Sequence, residues 1–460
     1  MPTDLTVEPT PIPGLLVVRL PVHEDARGWF RENWQREKMT ALGLPDFEPV
    51  QNNVSFNHRR GATRGIHTEP WDKFVSVTGG RAFGAWVDMR EGSSFGTTFT
   101  LELDEATAVF VPRGVGNSYQ TLDDAVAYSY LVNEHWRPGL AYPALDLADP
   151  EVAIGWPIPL AEAEVSDKDR ANPRLADAMR VRPRTTLVIG SRGQLGRALL
   201  AEFPDAVGVD LDELDVTDPA AVAAWPWHEH DTILNAAAYT AVDLAETPEG
   251  RVAAWAANAA APAALARVAD AHRLTLVHYS TEYVFDGTRS PHAEDEPVSP
   301  LGVYAQTKAA GDLAVATANR HYVLRTSWLI GDGHNFVRTM ARLAGEGARP
   351  TVVDDQVGRL TFTDELARVT RHLLESAAAH GVYHVSNGGE PTSWADVAAS
   401  VFELLGRDPA DVGRVSTAQY VAGKAMSPRP LLSAFDLGKL QATGWTSEPA
   451  MRALRRYLTA

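Results

Sequence analysis

The chain has 460 residues, with 42 Lys and Arg against 59 Asp and Glu, a formal net charge of −17 and no cysteine. The lack of cysteine excludes disulfides, zinc–thiolate sites, iron–sulfur clusters and thiolate nucleophiles. The acidic balance argues against nucleic acid or an anionic membrane as a partner. Neither a signal peptide nor a transmembrane helix is predicted, so we expect a soluble, cytoplasmic protein of about two to four domains.

The first part of the chain, up to about Pro183, predicts an all-β domain. Short runs of β-branched and aromatic residues follow one another and are separated by turn signals such as Gly79-Gly80. Strands at this spacing are typical of a barrel or jelly roll. The predicted strands are Phe74–Thr78, Ala82–Asp88, Thr97–Leu103, Ala108–Pro112 and Ala125–Val132.

Five polar residues stand out in this part of the chain: Arg64, His67, Lys73, Tyr130 and Asp169. A histidine among cations is a candidate general base that stays neutral and favours a bound enolate or diphosphate. The alternative is that a lone histidine in a strand is a satisfied core or rim residue. A metal-binding barrel usually has two or three histidines with a carboxylate close by, so we predict no metal here.

The second part, residues 184–460, predicts a parallel α/β fold of the Rossmann type with a small substrate-binding lobe. Buried strand-like runs alternate here with alanine-rich helical stretches, and Arg182-Pro183-Arg184 marks the boundary near residue 183. The predicted domains are therefore 1–183 and 184–460. The predicted strands of the second are Thr186–Ile189, Ala206–Asp210, Thr232–Asn235, Leu274–Tyr279 and Tyr322–Ser327.

A glycine-rich turn, Gly190–Gly196, follows the first of these strands and opens a helix. Glycines in this position allow a tight turn, close approach of a pyrophosphate and close helix–strand packing, while the helix N-terminus supplies amide donors. Such turns also occur for steric reasons alone. The predicted cofactor-binding residues of the turn are Gly190, Arg192, Gly193, Gln194, Leu195 and Gly196.

Two signals about the cofactor conflict. Asp210 ends the second strand, where an acid binds the ribose hydroxyls of NADH, whereas Arg192 is placed for the 2′-phosphate of NADPH. The choice between NADH and NADPH therefore stays open. Asp215 either lines the adenine or belongs to a helix cap with Thr217 and Asp218. The small residues Ala236, Ala237 and Ala238 leave room for the cofactor at a strand end.

Tyr304 and Lys308 lie four residues apart and so share one helix face. A nearby ammonium favours the phenolate, which lowers the tyrosine pKa toward the range useful for acid–base catalysis. Thr281, at the end of a buried strand and 23 residues upstream of Tyr304, can hydrogen-bond a reacting carbonyl. Together with the glycine turn, these residues predict a hydride-transfer site.

Residues 185–460 resemble the extended short-chain dehydrogenases, and specifically the dTDP-4-dehydrorhamnose reductases. The motifs that carry the resemblance are GSRGQLG, NAAAYTAVDLAE, HYSTEYVFDG, VYAQTKAAGD, LRTSWLIGDGHNFVRTM, VVDDQVGRLTFTDELA and SPRPLLSAFD. The resemblance implies that Thr281, Tyr304 and Lys308 are catalytic and that Asn258 is a structural residue beside the cofactor. It also implies that the sugar nucleotide lies near Arg325, Trp328, Asn335 and Arg359.

This part departs from the family at two points: STEYVF stands for the usual STDYVF, and GRLT for GxPT. The first departure adds a methylene at Glu282, and the second concerns substrate contacts near Arg359. Relatives often use a divalent metal at a dimer interface, but the corresponding acids have no match here. We therefore predict no metal in this part either.

Residues of about 5–180 are similar to the metal-free, cupin-like dTDP-4-dehydrorhamnose 3,5-epimerases. The shared motifs are DARGWFREN, QNNVSFN, GATRGIHTEP, KFVSVTGGRAF, VDMREGSSFG, VPRGVGNSYQTL, AIGWP and VSDKDRANPRLAD. By this likeness, His67 removes protons next to the sugar ketone, Asp169 orients it, Lys73 stabilises the enolate and Tyr130 reprotonates the opposite face. Arg27, Glu32, Gln51 and Arg64 would hold the nucleotide or sugar. The family also implies a homodimer formed through this domain.

Two departures occur together in this domain. Asn117 replaces a second histidine of the family, and Gly84 replaces the aspartate that accompanies it. We expect an epimerase with an altered balance between the C3 and C5 positions. The alternative is a non-catalytic nucleotide-binding barrel.

The two resemblances together predict a bifunctional enzyme that converts dTDP-4-dehydro-6-deoxy-D-glucose to dTDP-L-rhamnose with NADPH or NADH. One alternative is a reductase of another nucleotide 4-keto-deoxysugar beside a non-catalytic barrel. The other is a regulatory nucleotide-binding protein, against which the intact Tyr304–Lys308 pair argues.

Overall fold

The computed structural model describes residues 4–136 and 142–459. It divides into two compact units, Met1–Pro183 and Arg184–Ala460. The first unit is an all-β jelly roll and the second an α/β unit with a parallel sheet, so the predicted fold classes are confirmed. No helix among the described residues is long and apolar enough to cross a membrane.

Within residues 4–136 and 142–183, the first unit contains thirteen strands and two short α-helices. The strands are β1 (Thr6–Pro9), β2 (Leu16–Arg19), β3 (His23–Asp25), β4 (Gly28–Phe30), β5 (Gln51–Asn57), β6 (Ala62–His67), β7 (Lys73–Gly79), β8 (Ala82–Asp88), β9 (Thr98–Leu103), β10 (Thr107–Val111), β11 (Val115–Thr121), β12 (Val126–Val132) and β13 (Glu164–Val165). The helices are α1 (Arg36–Ala41) and α2 (Asp167–Arg170).

Two sheets form this unit. One has the strand order β1-β2-β10-β7-β12-β5, the other β13-β6-β11-β8-β9, and β3 and β4 pair as a separate hairpin. Their inward-facing side chains meet in a core that includes Val75, Trp86, Val109 and Tyr128. The strands predicted from hydrophobic runs match β7 to β10 and β12 within a residue or two.

The second unit alternates strands and helices. Its strands are β14 (Thr185–Ile189), β15 (Val207–Val209), β16 (His230–Asn235), β17 (Thr275–Thr281), β18 (His321–Thr326), β19 (Leu329–Ile330), β20 (Thr351–Val353), β21 (Val357–Gly358), β22 (Thr361–Phe362), β23 (Gly381–Val385), β24 (Thr392–Ser393) and β25 (Gly413–Val415). Its helices are α3 (Gln194–Glu202), α4 (Pro219–Ala224), α5 (Pro248–Trp255), α6 (Ala261–His272), α7 (Val303–Val315), α8 (Phe336–Gly345), α9 (Thr363–Glu375), α10 (Trp394–Leu404), α11 (Thr417–Val421), α12 (Gly438–Ala442) and α13 (Ala450–Thr459).

Six parallel strands form its main sheet in the order β15-β14-β16-β17-β18-β23. Alternate residues of each strand pack on opposite faces: Leu187 and Ile233 against α6, and Val188 and Leu234 against α3 and α9. β15 lies next to β14 on one side, and the chain then crosses over so that β16 lies next to β14 on the other side. Ligands of open α/β sheets bind where the strand order reverses in this way, beyond the carboxyl ends of the strands. A smaller lobe packs its own core from β19 to β22, α8, α10 and α13.

Candidate functional site

A cavity of about 620 Å³ lies at the carboxyl ends of β16 and β17 in the second unit. It brings together residues that are more than 100 positions apart in the chain. The lining includes most of the predicted cofactor-binding residues and all three members of the predicted catalytic trio. These are Arg192, Gly193, Gln194, Leu195, Ala236, Ala238, Thr281, Tyr304 and Lys308.

The glycine turn has a shape that only glycine permits at two positions. Gly190 has a φ of +77°, and a Cβ there would lie 2.8 Å from the backbone nitrogen of Ala237. A Cβ on Gly196 would lie 2.1 Å from the carbonyl oxygen of Gly190. The turn therefore packs directly on the next strand end and leads into α3, whose N-terminus faces the same cavity. This cradle fits the pyrophosphate of a dinucleotide.

Arg192 and Asp210 are neighbours, which explains why the sequence signals conflicted. The backbone N–H of Arg192 donates to Asp210 Oδ2 at 3.0 Å, so the carboxylate supports the glycine turn. The Arg192 guanidinium is exposed and pairs with Asp212 and Glu213, each at 2.8 Å. Asp210 itself is not among the residues that line the cavity.

Two other predicted cofactor residues have local structural roles. Asp215 Oδ1 accepts hydrogen bonds from the N–H and the hydroxyl of Thr217, at 2.8 and 2.6 Å, and Asp218 caps α4. The cap alternative is thus the one that the structure shows. Ala237 lies behind Gly190 rather than in the cavity wall.

Lys308 is buried beneath the cavity floor. Its Nζ donates to the carbonyl oxygen of Tyr279 at 2.7 Å and lies 3.4 Å from His278 Nε2. Burial lowers the pKa of Lys308 to about 8, and the negative charge of Asp312 opposes this. One of the three ammonium protons is left for the cavity.

The pKa of Tyr304 shifts in the opposite direction to the one expected from the Tyr–Lys spacing. Burial raises its pKa above the ordinary value, and the charges of Glu282 and Tyr283 raise it further, while a hydrogen bond with Thr281 opposes them. The expected lowering by Lys308 is wrong for this arrangement, because desolvation of the phenolate outweighs the attraction of an ammonium that bonds elsewhere. The phenol is therefore held in its proton-donating form.

The four residues expected near the sugar nucleotide separate into two groups. Trp328 lines the cavity and stacks on Trp394 with ring centroids 3.8 Å apart. Arg325 is instead buried, with Nε 2.9 Å from Asp312 Oδ2. The expectation that Arg325 faces the substrate is not met, since its charge is neutralised within the protein.

Asn335 and Arg359 hydrogen-bond mainly to backbone groups. The Asn335 amide caps α8 and donates to the carbonyl oxygen of Gly331 at 2.7 Å. Arg359 donates to the carbonyl oxygens of Gly389 and Phe435, at 2.7 and 2.8 Å. Neither residue is part of the cavity lining.

Asn258 has the structural role that the resemblance implies. It lies in a π-helical turn, Ala256–Ala260, between α5 and α6 and is fully buried. Its side chain accepts from the N–H of Tyr239 at 2.9 Å and donates to the carbonyl oxygen of the same residue at 3.0 Å. A further bond to the Thr307 hydroxyl, at 3.2 Å, ties this loop to the helix of the catalytic tyrosine candidate.

In the first unit, His67 and Asp169 meet although 102 residues separate them. His67 Nε2 lies 2.7 Å from Asp169 Oδ1, and the Asp169 N–H bonds to the Ser166 hydroxyl that caps α2. Burial raises the pKa of Asp169, but the hydrogen bond and charge of His67 and the bond from Ser166 outweigh it and hold the pKa below its usual value. Asp169 thus stays ionised and orients the imidazole ring.

Lys73 is almost fully buried and forms an ion pair with Glu69. Burial lowers the pKa of Lys73 to about 7, whereas the neighbouring carboxylate favours its charged form. Its Nζ lies 6.0 Å from the centre of the Tyr130 ring. A lysine poised in this way is suited to stabilising negative charge that develops next to it.

His67 and Tyr130 belong to opposite sheets, on β6 and β12. Tyr142 connects their surroundings: its ring centroid is 6.1 Å from that of His67, and its charge influences Tyr130. Burial raises the pKa of Tyr130, so this phenol also keeps its proton near neutral pH. The imidazole of His67 and the phenol of Tyr130 thus come from the two different sheets of the first unit.

Of the four residues expected to hold the nucleotide or sugar, only Arg64 shares a cavity with Asp169. Arg64 lines a cavity of about 650 Å³ that also contains Asp169. Arg27 is exposed on the β3–β4 hairpin and pairs with Asp25, and Glu32 is exposed and pairs with Lys38. Gln51 lies on β5 and bonds to Asn53 at 2.8 Å.

Trp86 explains the paired loss of a histidine and an aspartate. Its indole N–H donates to Asn117 Oδ1 at 2.9 Å, and the hydroxyl of Tyr128 donates to the same oxygen at 3.1 Å. Its ring also occupies the space beside Gly84, where a Cβ would lie 2.3 Å from Cη2 of the indole. An aspartate at Gly84 would collide with Trp86, so glycine at this position fits the indole beside it.

We expect Gly84→Ala to destabilise the first unit by about 1–3 kcal/mol, because the added methyl group overpacks a buried indole. Urea unfolding followed by tryptophan fluorescence measures the loss. The matched control is Gly155→Ala, where an added Cβ meets nothing within 4 Å. Equal stability of the two variants would contradict the packing argument.

No group of three or more His, Asp or Glu side chains among the described residues is arranged to hold a metal ion. The absence of a metal from the reactions stays a prediction. Three residues at these sites were not identified from the sequence: Glu69, Tyr142 and Trp394. Glu69 lies two positions after His67 in a conspicuous TEP turn, but Tyr142 and Trp394 have no local signal that distinguishes them from packing residues.

Comparison with known proteins agrees with this geometry. Residues 184–460 match the family described as RmlD substrate binding domain, and residues 9–177 match dTDP-4-dehydrorhamnose 3,5-epimerase. The RmlC homolog of Streptococcus pyogenes is 48% identical over 180 residues, which is 38% of this chain and 90% of that protein. A probable dTDP-4,6-dihydroxy-2-methyloxan-3-one 4-ketoreductase of Streptomyces antibioticus is 42% identical over 267 residues, which is 56% of this chain and 88% of that protein.

Among solved structures, the dTDP-4-dehydrorhamnose reductase of Bacillus anthracis in complex with NADP has 32% sequence identity and a TM-score of 0.56. The similarity covers 60% of this chain and 99% of that one. The chain therefore belongs to the dTDP-4-dehydrorhamnose 3,5-epimerase family in its first unit and to the RmlD substrate-binding-domain family in its second.

Proposed function

We propose that this chain is a bifunctional enzyme of dTDP-L-rhamnose synthesis. Its first unit epimerises dTDP-4-dehydro-6-deoxy-D-glucose at C3 and C5, and its second unit reduces the C4 ketone of the product. The observation that carries the proposal is the presence of two complete and different acid–base sets on one chain. One is the His67–Asp169 pair opposite Tyr130, and the other is Thr281 with Tyr304 and Lys308 beside the glycine turn.

In the epimerisation, His67 removes a proton from the carbon next to the ketone. Asp169 bonds to Nε2 of the ring, so the other ring nitrogen is the base, and the carboxylate stabilises the imidazolium that forms. Lys73 stabilises the negative charge of the enolate. Tyr130 then gives a proton to the opposite face, because inversion requires a donor across from the base. Glu69 keeps the buried Lys73 charged.

In the reduction, Tyr304 donates its proton to the ketone oxygen while Thr281 hydrogen-bonds the same oxygen. Lys308, one helical turn further along α7, provides positive charge that stabilises the phenolate left behind. Burial keeps Tyr304 protonated until the substrate oxygen becomes basic enough to take the proton. Trp328 and Trp394 form an apolar wall of the cavity and exclude water from this transfer.

We propose NADPH as the reductant, which supplies a hydride to the carbonyl carbon when it is bound. The glycine turn and the N-terminus of α3 would hold its pyrophosphate. Arg192 would meet the 2′-phosphate by leaving Asp212 and Glu213, to which it is bound at the surface. A related reductase has been solved with NADP, which supports this choice. The carboxylate of Asp210 supports the turn and is engaged by the backbone.

The test is an assay of the purified chain with dTDP-4-dehydro-6-deoxy-D-glucose and NADPH, with the sugar product identified by NMR. We expect NADPH oxidation and dTDP-L-rhamnose. Reduction without epimerisation would identify a reductase of another 4-keto-deoxysugar beside a non-catalytic barrel. No oxidation by the folded protein would favour a regulatory nucleotide-binding protein and overturn the proposal.

Both reactions belong in the cytoplasm, because charged nucleotide sugars do not cross a bilayer unaided.

We also propose that the chain forms a homodimer through its first unit. Strand β5 is at the edge of its sheet and exposes Val54 and Phe56, which are 64% and 53% exposed. Long edge strands with apolar side chains pair with other chains unless they are covered.

We therefore expect Val54→Lys to shift the protein from dimer to monomer in sedimentation velocity. The control is Val207→Lys, which adds the same charge to an exposed valine on the edge strand β15 of the second unit and should leave the dimer intact. Sedimentation of the unmodified protein as a monomer would contradict the proposal.

A further inference from the structure

Glu282 is a buried carboxyl group in the reductase cavity that the reaction described above does not use. It follows Thr281 at the end of β17 and is only 4% exposed. Its Oε2 accepts a hydrogen bond from the Thr281 hydroxyl at 2.9 Å. The motif STEYVF thus places a longer acid than the usual aspartate directly against the hydroxyl that must contact the ketone.

The hydrogen bonds of Thr281 show why this matters. A hydroxyl has one proton to donate and two lone pairs that accept. One lone pair of Thr281 Oγ1 accepts from the N–H of Tyr283 at 3.2 Å. While Glu282 is ionised, the single proton points to its carboxylate and none is left for a ketone oxygen. The second lone pair is next to the Tyr304 hydroxyl, which also bonds to Thr281. Once that hydroxyl turns to the ketone that it protonates, a protonated Glu282 can donate to this lone pair, and the proton of Thr281 becomes free.

We propose that Glu282 is a positioning residue whose protonated carboxyl turns the Thr281 proton toward the ketone and whose ionised form withdraws it. The inference rests on the reductase function proposed above. The step moves no additional proton to the substrate. Glu282 acts only on the direction of one hydrogen bond, which then strengthens as negative charge develops on the ketone oxygen.

The surroundings of Glu282 place this switch near neutral pH. Burial raises its pKa to about 7, while the bond from Thr281 and backbone N–H groups, including that of Trp328, oppose the rise. The ring of Tyr283 stands at 88° to that of Tyr304, with centroids 6.0 Å apart. The titratable and charged groups around this part of the cavity are Tyr283, Tyr304 and Lys308, with the Arg429–Asp243 ion pair beside Tyr283.

The experiment compares the pH profiles of kcat/KM for ketone reduction in the wild-type chain and in Glu282→Gln. The wild type should lose about tenfold between pH 6 and pH 8, as expected for a required acid with a pKa near 7. The side-chain amide that the Glu282→Gln variant carries donates to Thr281 at every pH. This variant should therefore keep its activity into the range where Lys308, with a pKa of about 8, loses its proton.

The matched control is Glu294→Gln, which removes a half-buried carboxyl whose pKa burial also raises. Glu294 bonds to the N–H of His384 and has no bond to Thr281, so this variant should keep the wild-type profile. If the wild type is active and its loss of kcat/KM near pH 7 persists in Glu282→Gln, the inference about Glu282 is overturned, but the proposed reductase function is not. A wild type inactive at every pH would overturn the reductase function, and the inference with it.

Unfolding measurements give a readout that does not depend on activity. The folded-state pKa of Glu282 lies above its ordinary value of 4.5, so the folded state binds more protons between about pH 4.5 and 7. The wild type should therefore lose stability relative to Glu282→Gln as pH rises through this window. A difference that does not change with pH would show that Glu282 is ionised throughout, which would also overturn the inference.

Discussion

Replacement of Tyr304 by phenylalanine should lower kcat for ketone reduction by about 10²–10⁴-fold, the usual contribution of a positioned proton donor. Tyr304 is the group that burial keeps protonated beside Thr281 in the cavity. The variant removes one oxygen atom from a packed ring, so folding and nucleotide binding should persist. Stopped-flow measurement of NADPH oxidation, with substrate that has already been epimerised, isolates this step.

Tyr322→Phe is the matched control for this variant. Tyr322 is a buried tyrosine whose hydroxyl donates to the carbonyl oxygen of Ala378 at 2.5 Å, outside the cavity. It should reduce the ketone at the wild-type rate. Tyr304→Phe should still exchange sugar protons with solvent, because that reaction belongs to the first unit. Loss of both activities in this variant would contradict the assignment of two separate sites.

Replacement of His67 by asparagine should abolish the incorporation of solvent deuterium next to the ketone, with a loss of about 10²–10⁴-fold in exchange rate. Asparagine can keep a hydrogen bond to Asp169 but has no nitrogen that accepts a proton near neutral pH. Mass spectrometry of the sugar nucleotide in D₂O measures the exchange. Reduction of pre-epimerised substrate should continue, and unchanged exchange would overturn the role of His67 as the base.

Tyr130→Phe distinguishes the base from the acid on the opposite sheet. Without the Tyr130 proton, His67 can still remove a proton and return a deuteron to the same face. We therefore expect exchange with retained configuration and little epimerised product, which NMR of the recovered sugar separates from wild-type behaviour. Loss of exchange as well would indicate that Tyr130 is needed for substrate binding rather than for inversion.

The parts of this molecule that depend on neighbours along the chain could be predicted from the sequence. Hydrophobic runs along the chain identified β7 to β10 and β12, and the parallel strands β14 to β18, but not β23 at the edge of the main sheet. The glycine turn and the Tyr304–Lys308 spacing identified the cavity, because a turn and a helix face are properties of a few consecutive residues.

The strands β5, β6 and β11 were not predicted, and they carry much of the first site. Their polar residues, including Arg64, His67 and Asn117, interrupt the hydrophobic pattern because they face partners in the interior rather than apolar core. A sequence pattern shows that such residues are polar, but their partners come from distant parts of the chain. The polar residues of the site therefore hid the hydrophobic pattern by which these strands could have been predicted.

The absence of cysteine and the acidic balance excluded thiol and metal–thiolate chemistry from the start, and the motifs identified the two folds. The tertiary structure alone decided how the individual side chains are used. In the folded chain, Asn335 and Arg359 donate to backbone carbonyl groups, and Lys73 forms an ion pair with Glu69. The ring of Trp86 occupies the space beside Gly84, and Glu282 bonds to Thr281. The physical reason is that hydrogen bonds and desolvation act over a few ångströms in space, whatever the separation along the chain.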